Sequence, residues 1–138
     1  NDTMGGYIAK KLVKKLIGMG KAILGARILV MGMTFKENVA DIRNSKVVDI
    51  INELKDFGVE VDVVDPYADP EEVKKMYGFR LIEKPLGNYD AVVVAVSHDA
   101  YQRLDEKYFK SLTCDKAVLV DVKGMYRDKI HELKYWSL

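Results

Sequence analysis

An unbroken apolar run, AVVVAV at Ala91 to Val96, constrains the fold of this chain more than any other feature. A strand with one solvated face alternates apolar and polar residues, whereas a strand covered on both faces is apolar throughout. Similar runs occur at Arg27 to Met31 and at Ala117 to Val120. Helical patterns and turn residues separate the runs. The sequence therefore predicts an α/β fold whose central strand is AVVVAV.

Amphipathic patterns and capping residues predict the helices between the strands. An opening helix covers residues 1–18, and a glycine-containing joint links it to the first strand. A second helix is capped by Asn44 or Ser45 and ends at Gly58. The other predicted elements are a strand at Val61 to Val64, a helix to about Tyr77 capped by Asp69, a minor strand at Phe79 to Ile82, and one or two short helices through Leu112. This order gives a Rossmann-like, doubly wound parallel sheet in three α/β/α layers, preceded by an N-terminal helix.

Length and charge limit what the chain can do. Its 138 residues fit one compact domain with its own core. The formal net charge of +1 gives no general attraction for nucleic acid or an anionic membrane. No apolar run approaches the ~20 residues of a membrane-spanning helix. A single cysteine, Cys114, excludes a disulfide framework and suits the cytoplasm. The start at Asn1, directly in a helical pattern, is typical of a fragment of a longer polypeptide.

The loop after the first strand carries the main candidates for ligand binding. In a doubly wound sheet, ligands bind beyond the carboxyl ends of the strands. Lys36 and Arg43 lie in this loop, and Lys123 follows the last predicted strand. Their ammonium and guanidinium groups suit phosphate oxygens, although a solvated surface cation is an equally good interpretation of each. The candidate ligand groups at this edge are Thr34 to Arg43, Asp65, Ser97 to Asp99, and Asp121 to Lys123.

Other chemistry-bearing residues favour structural roles. A dinucleotide-binding loop needs G-x-G-x-x-G, but the chain offers GMTFKE, which keeps only the first glycine. Asp65 stands where a ribose-binding acid would lie, yet a turn before Pro66 explains it better. We interpret His98 as a hydrogen-bonded loop residue and Cys114 as a structural or exposed thiol. No carboxylate pair, catalytic triad or metal-ligand spacing is present in the sequence.

The loop residues resemble a known signature. GMTFKEN at Gly32 to Asn38 and DIRNS at Asp41 to Ser45 are similar to G-x-x-F/Y-K followed by D-x-R-x-S. That signature belongs to the carboxyl-terminal domain of the UDP-glucose/GDP-mannose dehydrogenase family. The resemblance continues at Asp65-Pro66, through AVVVAV and SHD, and at Asp121 to Gly124, so it covers nearly the whole chain. The FKEN, DIRNS and AVSHD forms are most similar to the branch that oxidises UDP-N-acetylhexosamines.

The resemblance implies part of an NAD-dependent oxidoreductase. Family members oxidise the C6 hydroxyl of a nucleotide sugar to a carboxylate with two NAD, through a thiohemiacetal on a cysteine. That cysteine, the acid/base lysine and the glycine-rich NAD site lie in other portions of the enzyme, so no catalytic residue is expected here, and Cys114 does not take that role. Phe35 and Lys36 match positions that contact the UDP-sugar substrate. Lys123 falls where many members place an arginine for the nucleotide, and Arg43 matches an arginine that reaches NAD on a neighbouring domain or subunit.

The same resemblance implies a domain organisation and a set of partners. Residues 1–25 correspond to the end of a central dimerisation helix and a joint, and residues 26–138 to the UDP-binding Rossmann-like domain. The expected partners are a UDP-sugar, the enzyme's own N-terminal NAD-binding domain, and further copies in a homodimer or larger homo-oligomer. The fragment alone is expected to be inactive, and no metal is expected.

Two other classes of function stay open. A free-standing Rossmann-like nucleotide-binding or regulatory module would prefer a dinucleotide, or a protein partner that contacts the first helix. A purely structural domain that holds a dimer together would be indifferent to changes at Lys36 and Arg43. Binding of uridine diphosphate that depends on Lys36 distinguishes the enzyme domain from both.

Overall fold

The computed structural model describes residues 3–138, which form four α-helices, one 3-10 helix and a five-stranded sheet. In chain order the elements are α1 (Met4–Gly18), β1 (Arg27–Met31), α2 (Val47–Asp56), β2 (Glu60–Val64), α3 (Pro70–Tyr77), β3 (Tyr89–Val94), the 3-10 helix (Asp99–Tyr101), α4 (Glu106–Leu112), β4 (Thr113–Asp121) and β5 (Lys134–Ser137). Residues 1–2, which the sequence places in the first helix, lie outside the described residues. Thr3 is the N-cap of α1, and its side chain accepts a hydrogen bond from Gly6 N.

The described strands form one parallel sheet in the order β2-β1-β3-β4-β5. The strand predicted to be central, now β3, is the middle one. The chain runs from β1 to β2 on one side and then crosses to β3 on the other side of β1. The topological switch point therefore lies between β1 and β3. This is the predicted Rossmann-like, doubly wound α/β fold.

The sheet is buried on both faces because successive side chains of its central strands point to opposite sides. Ile28 and Val30 of β1 belong to a buried cluster that includes α1 and α2. Leu29 and Met31 belong to a second buried cluster, which includes Phe109 of α4. Helices therefore cover both faces, and the predicted three-layer α/β/α arrangement is confirmed.

Two local predictions are wrong, and one strand was not predicted. Neither Asn44 nor Ser45 caps α2, because the N-cap position is Lys46 and no side chain makes a capping hydrogen bond there. Ser45 Oγ instead donates to Met33 O at 2.5 Å. Residues 79–82 form no strand. The short edge strand β5 has no counterpart in the prediction, because its residues are half-buried or exposed and lack an apolar run.

Helices α1 and α2 approach closely because α1 presents Gly5 at their contact. A Cβ atom added to Gly5 would lie 2.5 Å from Asp49 Cβ and 2.9 Å from Ile50 N, so any side chain there would push the helices apart. Gly18, at the other end of α1, has no such neighbour within 4 Å. The contact at Gly5 therefore fixes where the first turn of α1 lies relative to the first turn of α2.

Gly5→Ala is expected to lower the free energy of unfolding by about 1–3 kcal/mol, because the new methyl group overlaps atoms of α2. Gly18→Ala is the matched control on the same helix. It meets no clash, and the higher helix propensity of alanine should leave stability unchanged or raise it by up to about 1 kcal/mol. Urea unfolding followed by circular dichroism measures both changes. Equal effects of the two substitutions would contradict the close packing at Gly5.

Candidate functional site

A cleft lies beside the topological switch point. Its volume is about 390 Å³, within the range of small-ligand sites, about 300–1,000 Å³. The starts of α1 and α2, the loop after β1 and the residues that follow β3 and β4 form its walls. The lining residues are Thr3, Met4, Gly5, Ile8, Thr34, Phe35, Lys36, Glu37, Lys46, Val47, Asp49, Ile50, Ala95, Val96, Val122, Lys123 and Leu138. The three residues predicted to bind substrate, Phe35, Lys36 and Lys123, thus line one cleft.

Three lysines give this cleft its charge: Lys36, Lys46 and Lys123. All three are exposed, and within residues 3–138 none has a carboxylate oxygen within 4.0 Å of its ammonium nitrogen. Glu37 and Asp49 also line the cleft, so among its side chains cations outnumber anions. A local excess of unpaired positive charge favours an anionic ligand.

Lys46 is the cleft cation that sequence reasoning misses. It occupies the N-cap position of α2 with helical backbone angles, φ −70° and ψ −21°. Within residues 3–138 no side chain makes a capping hydrogen bond to α2, so N–H groups of its first turn lack a side-chain acceptor in this range. Helix α1 also begins at the cleft, where Met4 is a lining residue. The positive ends of two helix dipoles therefore lie beside the lysines.

Phe35 gives the cleft an apolar surface. It is 51% exposed, although the loop that carries it is anchored by buried residues on both sides. An aromatic ring beside ammonium groups offers stacking area together with charge. The combination suits a ligand that has both a planar base and an anionic group.

A buried carboxylate fixes the loop between β1 and α2. Asp65 follows β2, and its Oδ2 accepts hydrogen bonds from Met33 N at 2.7 Å and Thr34 N at 3.3 Å. Its Oδ1 accepts from the N–H groups two and three residues further on, at 2.7 and 3.1 Å. Burial raises the pKa of Asp65, but the hydrogen bonds from His98 and from backbone N–H groups outweigh burial and hold this pKa below its usual value.

The imidazole of His98 links this carboxylate to the far part of the loop. Its Nδ1 lies 3.0 Å from Asn38 N, and its Nε2 lies 3.0 Å from Asp65 Oδ2. A backbone N–H can only donate, so Nδ1 is the acceptor and carries no proton. Nε2 then carries the proton and donates to Asp65, which makes His98 a neutral Nε2–H tautomer. Both side chains are fully buried, with 0% exposure.

Three of the candidate ligand groups are thus occupied within the fold. Asp65 and His98 bind each other, and Asp121 accepts hydrogen bonds from Tyr126 N at 2.7 Å and Tyr135 Oη at 2.5 Å. All three side chains are buried. The interpretations of His98 as a hydrogen-bonded loop residue and of Asp65 as a turn residue are confirmed. The carboxylates of Asp65 and Asp121 therefore stabilise the fold and are not exposed to a ligand.

The loop after β1 does not fit the pyrophosphate of a dinucleotide bound in the Rossmann manner. Such binding uses backbone N–H groups of this loop, but here the amides of Met33 and Thr34 already donate to Asp65. The carboxylate at the ribose-binding position is Asp65 itself, which is buried. Gly32 has φ +90°, and a Cβ atom there would lie 2.8 Å from Val96 Cβ, so this glycine serves the packing of the strand ends.

Arg43, the residue predicted to bind the cofactor, lies apart from the cleft. Its side chain is 74% exposed and forms a bidentate pair with Asp41, with Nε–Oδ1 and Nη2–Oδ2 distances of 3.0 Å. These hydrogen bonds lower the pKa of Asp41. The pair borders a separate surface depression, together with Ile42 and with Met76 of α3. The structure therefore separates the predicted cofactor contact from the predicted substrate contacts.

Cys114 lies at the amino edge of the sheet, near the start of β4. Its Sγ is 3.3 Å from Lys21 Nζ and 3.4 Å from Asp90 Oδ1. Lys21 belongs to the joint after α1, and its Nζ lies 2.8 Å from the same Asp90 oxygen. These contacts agree with a structural thiol, and they are at the opposite edge of the sheet from the cleft.

Two other kinds of feature are absent from residues 3–138. No group of three His, Cys, Asp or Glu side chains in this range is arranged to hold a metal ion. No helix in the same range has the length and the apolar character needed to cross a membrane.

The fold and the cleft define a class of protein: a Rossmann-like domain whose switch point presents side-chain cations instead of a glycine-rich loop. Comparison with known families then identifies the protein family within this class. The model of the UDP binding domain of the UDP-glucose/GDP-mannose dehydrogenase family matches residues 29–128. The chain belongs to this family, and the resemblance of its loop residues is confirmed.

Two named relatives belong to the UDP-N-acetylhexosamine branch that the loop residues resemble. UDP-N-acetyl-D-glucosamine 6-dehydrogenase of Salmonella typhi is 39% identical over 124 residues, which cover 89% of this chain and 29% of that protein. The protein of the same name from Pseudomonas aeruginosa is 37% identical over 135 residues, which cover 97% of this chain and 32% of the relative. The chain thus spans about a third of the length of these relatives.

Solved structures agree with the fold. NDP-N-acetyl-D-galactosaminuronic acid dehydrogenase from Methanosarcina mazei Go1 superposes with a TM-score of 0.86 at 24% identity, covering 99% of this chain and 29% of that one. A UDP-glucose dehydrogenase from Pyrobaculum islandicum superposes with a TM-score of 0.68 at 27% identity, covering 94% of this chain and 29% of the other.

Asp65→Asn is expected to lower the free energy of unfolding at pH 7 by about 3 kcal/mol, because it removes a buried charge that His98 and backbone N–H groups stabilise. A carboxyl group with a depressed folded pKa contributes its stability above its unfolded pKa of about 3.9, and loses it as pH falls through the folded pKa. The deficit of the variant should therefore shrink below about pH 4.

Urea unfolding at pH 7 and pH 3 measures this difference. Asp99→Asn is the control, because Asp99 is exposed and its substitution should change stability by less than about 0.5 kcal/mol. A deficit for Asp65→Asn that is equal at both pH values would contradict a stabilising charge at Asp65.

Proposed function

We propose that the chain is the UDP-sugar-binding carboxyl-terminal domain of an NAD-dependent nucleotide-sugar 6-dehydrogenase. Such an enzyme oxidises the C6 hydroxyl of a UDP-N-acetylhexosamine, or of a UDP-glucose-like substrate, to a carboxylate with two NAD, in cytoplasmic polysaccharide biosynthesis. The observation that carries the proposal is the cleft at the switch point, where three lysines without ion-pair partners in the described residues accompany the exposed ring of Phe35. Family membership and the names of the relatives support the substrate class.

The three lysines form the proposed diphosphate site. Lys36 follows β1, Lys46 begins α2 and Lys123 follows β4, so cations reach the cleft from three separate elements. The first turns of α1 and α2 add partial positive charge. An ammonium group is a compact charge without the fixed fork of a guanidinium, so three of them adapt to the oxygens of a diphosphate. Lys123 thus takes the place of the arginine that many family members use.

Phe35 is the proposed contact for the nucleoside. Its half-exposed ring lies in the same loop as Lys36 and offers an apolar face to a planar base or a ribose. The site therefore binds the uridine diphosphate portion of the substrate. The sugar ring, which carries the reacting C6 hydroxyl, would extend toward the rest of the enzyme.

The proposal divides the dehydrogenase between this domain and the remainder of the enzyme. Residues 26–138 form the UDP-binding domain and supply the three lysines and Phe35, residues 1–25 end the central dimerisation helix and its start borders the cleft, and an N-terminal domain binds NAD. The loop after β1 does not fit a dinucleotide, which supports placing NAD elsewhere. Arg43, outside the cleft and exposed, is proposed to reach that NAD from a neighbouring domain or subunit. Closure of the two domains, in a homodimer or larger assembly, would exclude water from the reacting carbon.

Calorimetric titration of the chain with UDP, and separately with NAD, tests the proposal. We expect UDP binding and no NAD binding. Lys36→Ala and Lys46→Ala should each weaken UDP binding about tenfold, which corresponds to one charged hydrogen bond of about 1.5 kcal/mol. Lys107→Ala is the matched control, because Lys107 is an exposed lysine of α4 outside the cleft.

Two results would contradict the proposal. If the Lys36→Ala and Lys107→Ala variants bind UDP equally strongly, the cleft is ruled out as the binding site. NAD binding that survives Lys36→Ala would favour the alternative, a free-standing Rossmann-like nucleotide-binding or regulatory module.

The chain alone is expected to show no dehydrogenase activity, because the proposal places the catalytic groups in the rest of the enzyme. Incubation with NAD and UDP-N-acetylglucosamine or UDP-glucose should give no increase in NADH absorbance. A full-length dehydrogenase of the family, assayed in parallel, is the positive control. Measurable turnover by the purified 138-residue chain would show that the proposed division is wrong.

A further inference from the structure

We infer that His98 is a positioning residue for the substrate site: it holds the exposed segment Phe35–Glu37 in place through the backbone of Asn38. The inference rests on the proposed function, since this segment carries the proposed UDP contacts. His98 does not line the cleft. Any effect on a ligand must therefore pass through the loop.

The segment Phe35–Glu37 is anchored at its first end by a carboxylate. The amide of Thr34 donates to Asp65, and Thr34 Oγ1 donates to Lys36 O at 2.9 Å. Thr34 is itself buried, with 1% exposure. The residue that precedes the segment is therefore fixed by its backbone and its side chain.

The other end of the segment is anchored by Asn38, and here the partner is His98. Asn38 N donates to His98 Nδ1 at 3.0 Å, and Asn38 Oδ1 accepts from Asp99 N at 2.9 Å. Asn38 has φ +62°, in the left-handed region, which asparagine adopts more readily than most residues. Two contacts to the residues that follow β3 thus keep the loop closed.

The acceptor at Nδ1 exists only because His98 is neutral with its proton on Nε2. The bond to Asp65 Oδ2 holds the proton there, so one carboxylate sets the tautomer that serves Asn38. The imidazole ring is further packed against Tyr67 and Tyr101, at ring-centroid distances of 4.7 and 5.3 Å. The ring is therefore held in one orientation, with its acceptor nitrogen directed at the loop.

Two substitutions separate this role from a general contribution to stability. In His98→Asn, the amide oxygen occupies the place of Nδ1 and keeps an acceptor for Asn38 N–H. In His98→Gln, the amide nitrogen reaches the place of Nε2 and keeps a donor for Asp65, but the acceptor for Asn38 is lost. Both variants lose the ring contacts with Tyr67 and Tyr101.

The test combines hydrogen exchange of the Asn38 amide with calorimetric titration by UDP, on the wild-type chain and both variants. For His98→Gln we expect exchange of the Asn38 amide to accelerate and UDP affinity to fall, each by about tenfold. For His98→Asn we expect both quantities to stay within about threefold of the wild type. Thermal unfolding of the two variants verifies that both are folded at the temperature of the titration.

Four outcomes would overturn the inference. Unchanged Asn38 exchange in His98→Gln would show that Nδ1 does not hold the loop, whatever the result with UDP. Equal losses of UDP affinity in both variants would assign His98 a general structural role. Absence of UDP binding by the wild type would overturn the proposed function and this role together, whereas wild-type binding with unaltered affinity in His98→Gln would overturn the role of His98 alone.

Discussion

The hydrogen bonds that the carboxylate of Asp65 accepts are the interactions on which the carboxyl edge of the sheet depends. Where parallel strands end, backbone N–H groups leave the ladder and need other acceptors. Asp65 supplies them for the loops after β1 and β2, and it also binds the imidazole that follows β3. Removing a charge from water is costly, and these hydrogen bonds offset the cost, as the lowered pKa of Asp65 indicates. Three strand ends are thereby joined at one buried group.

This arrangement has a consequence for the ligand. Since the amides of Met33 and Thr34 bind Asp65, they cannot also cradle a phosphate. Anion binding at this switch point would therefore depend on side chains, and lysines from three elements line the cleft. Ammonium groups that lack carboxylate partners repel one another, and solvent screens them only in part. A bound diphosphate would relieve this repulsion. Such a local electrostatic conflict is typical of a functional site and would favour an anionic ligand.

The sequence predicts those features that depend on local pattern and fails on those that depend on assembly. Unbroken apolar runs suffice for the parallel sheet and its central strand. Strand β5 was not predicted. This short, half-buried edge strand is stabilised by pairing with β4, and its own residues show no pattern that indicates this pairing. Lys36 and Lys123 follow strands and can be found from that position. Lys46 reads as an ordinary helix-start cation, and it lines the cleft because Gly5 brings α1 against α2. The pairing of His98 with Asp65 joins residues that are 33 positions apart, so local sequence pattern does not predict it either.

The geometry of Arg43 supports a contact outside the cleft. A guanidinium has five N–H donors, and Asp41 accepts from two side-chain nitrogens, Nε and Nη2. The same carboxylate accepts from the backbone N–H of Arg43 at 2.9 Å, so side chain and backbone are held together. Such an exposed pair contributes little to stability, but it restricts the orientation of the guanidinium. Nη1 has no hydrogen-bond partner among residues 3–138, so it could bind an anion. In the proposed dehydrogenase, the loop after β1 would then bind UDP through Lys36 and present Arg43, already oriented, to NAD on the neighbouring domain.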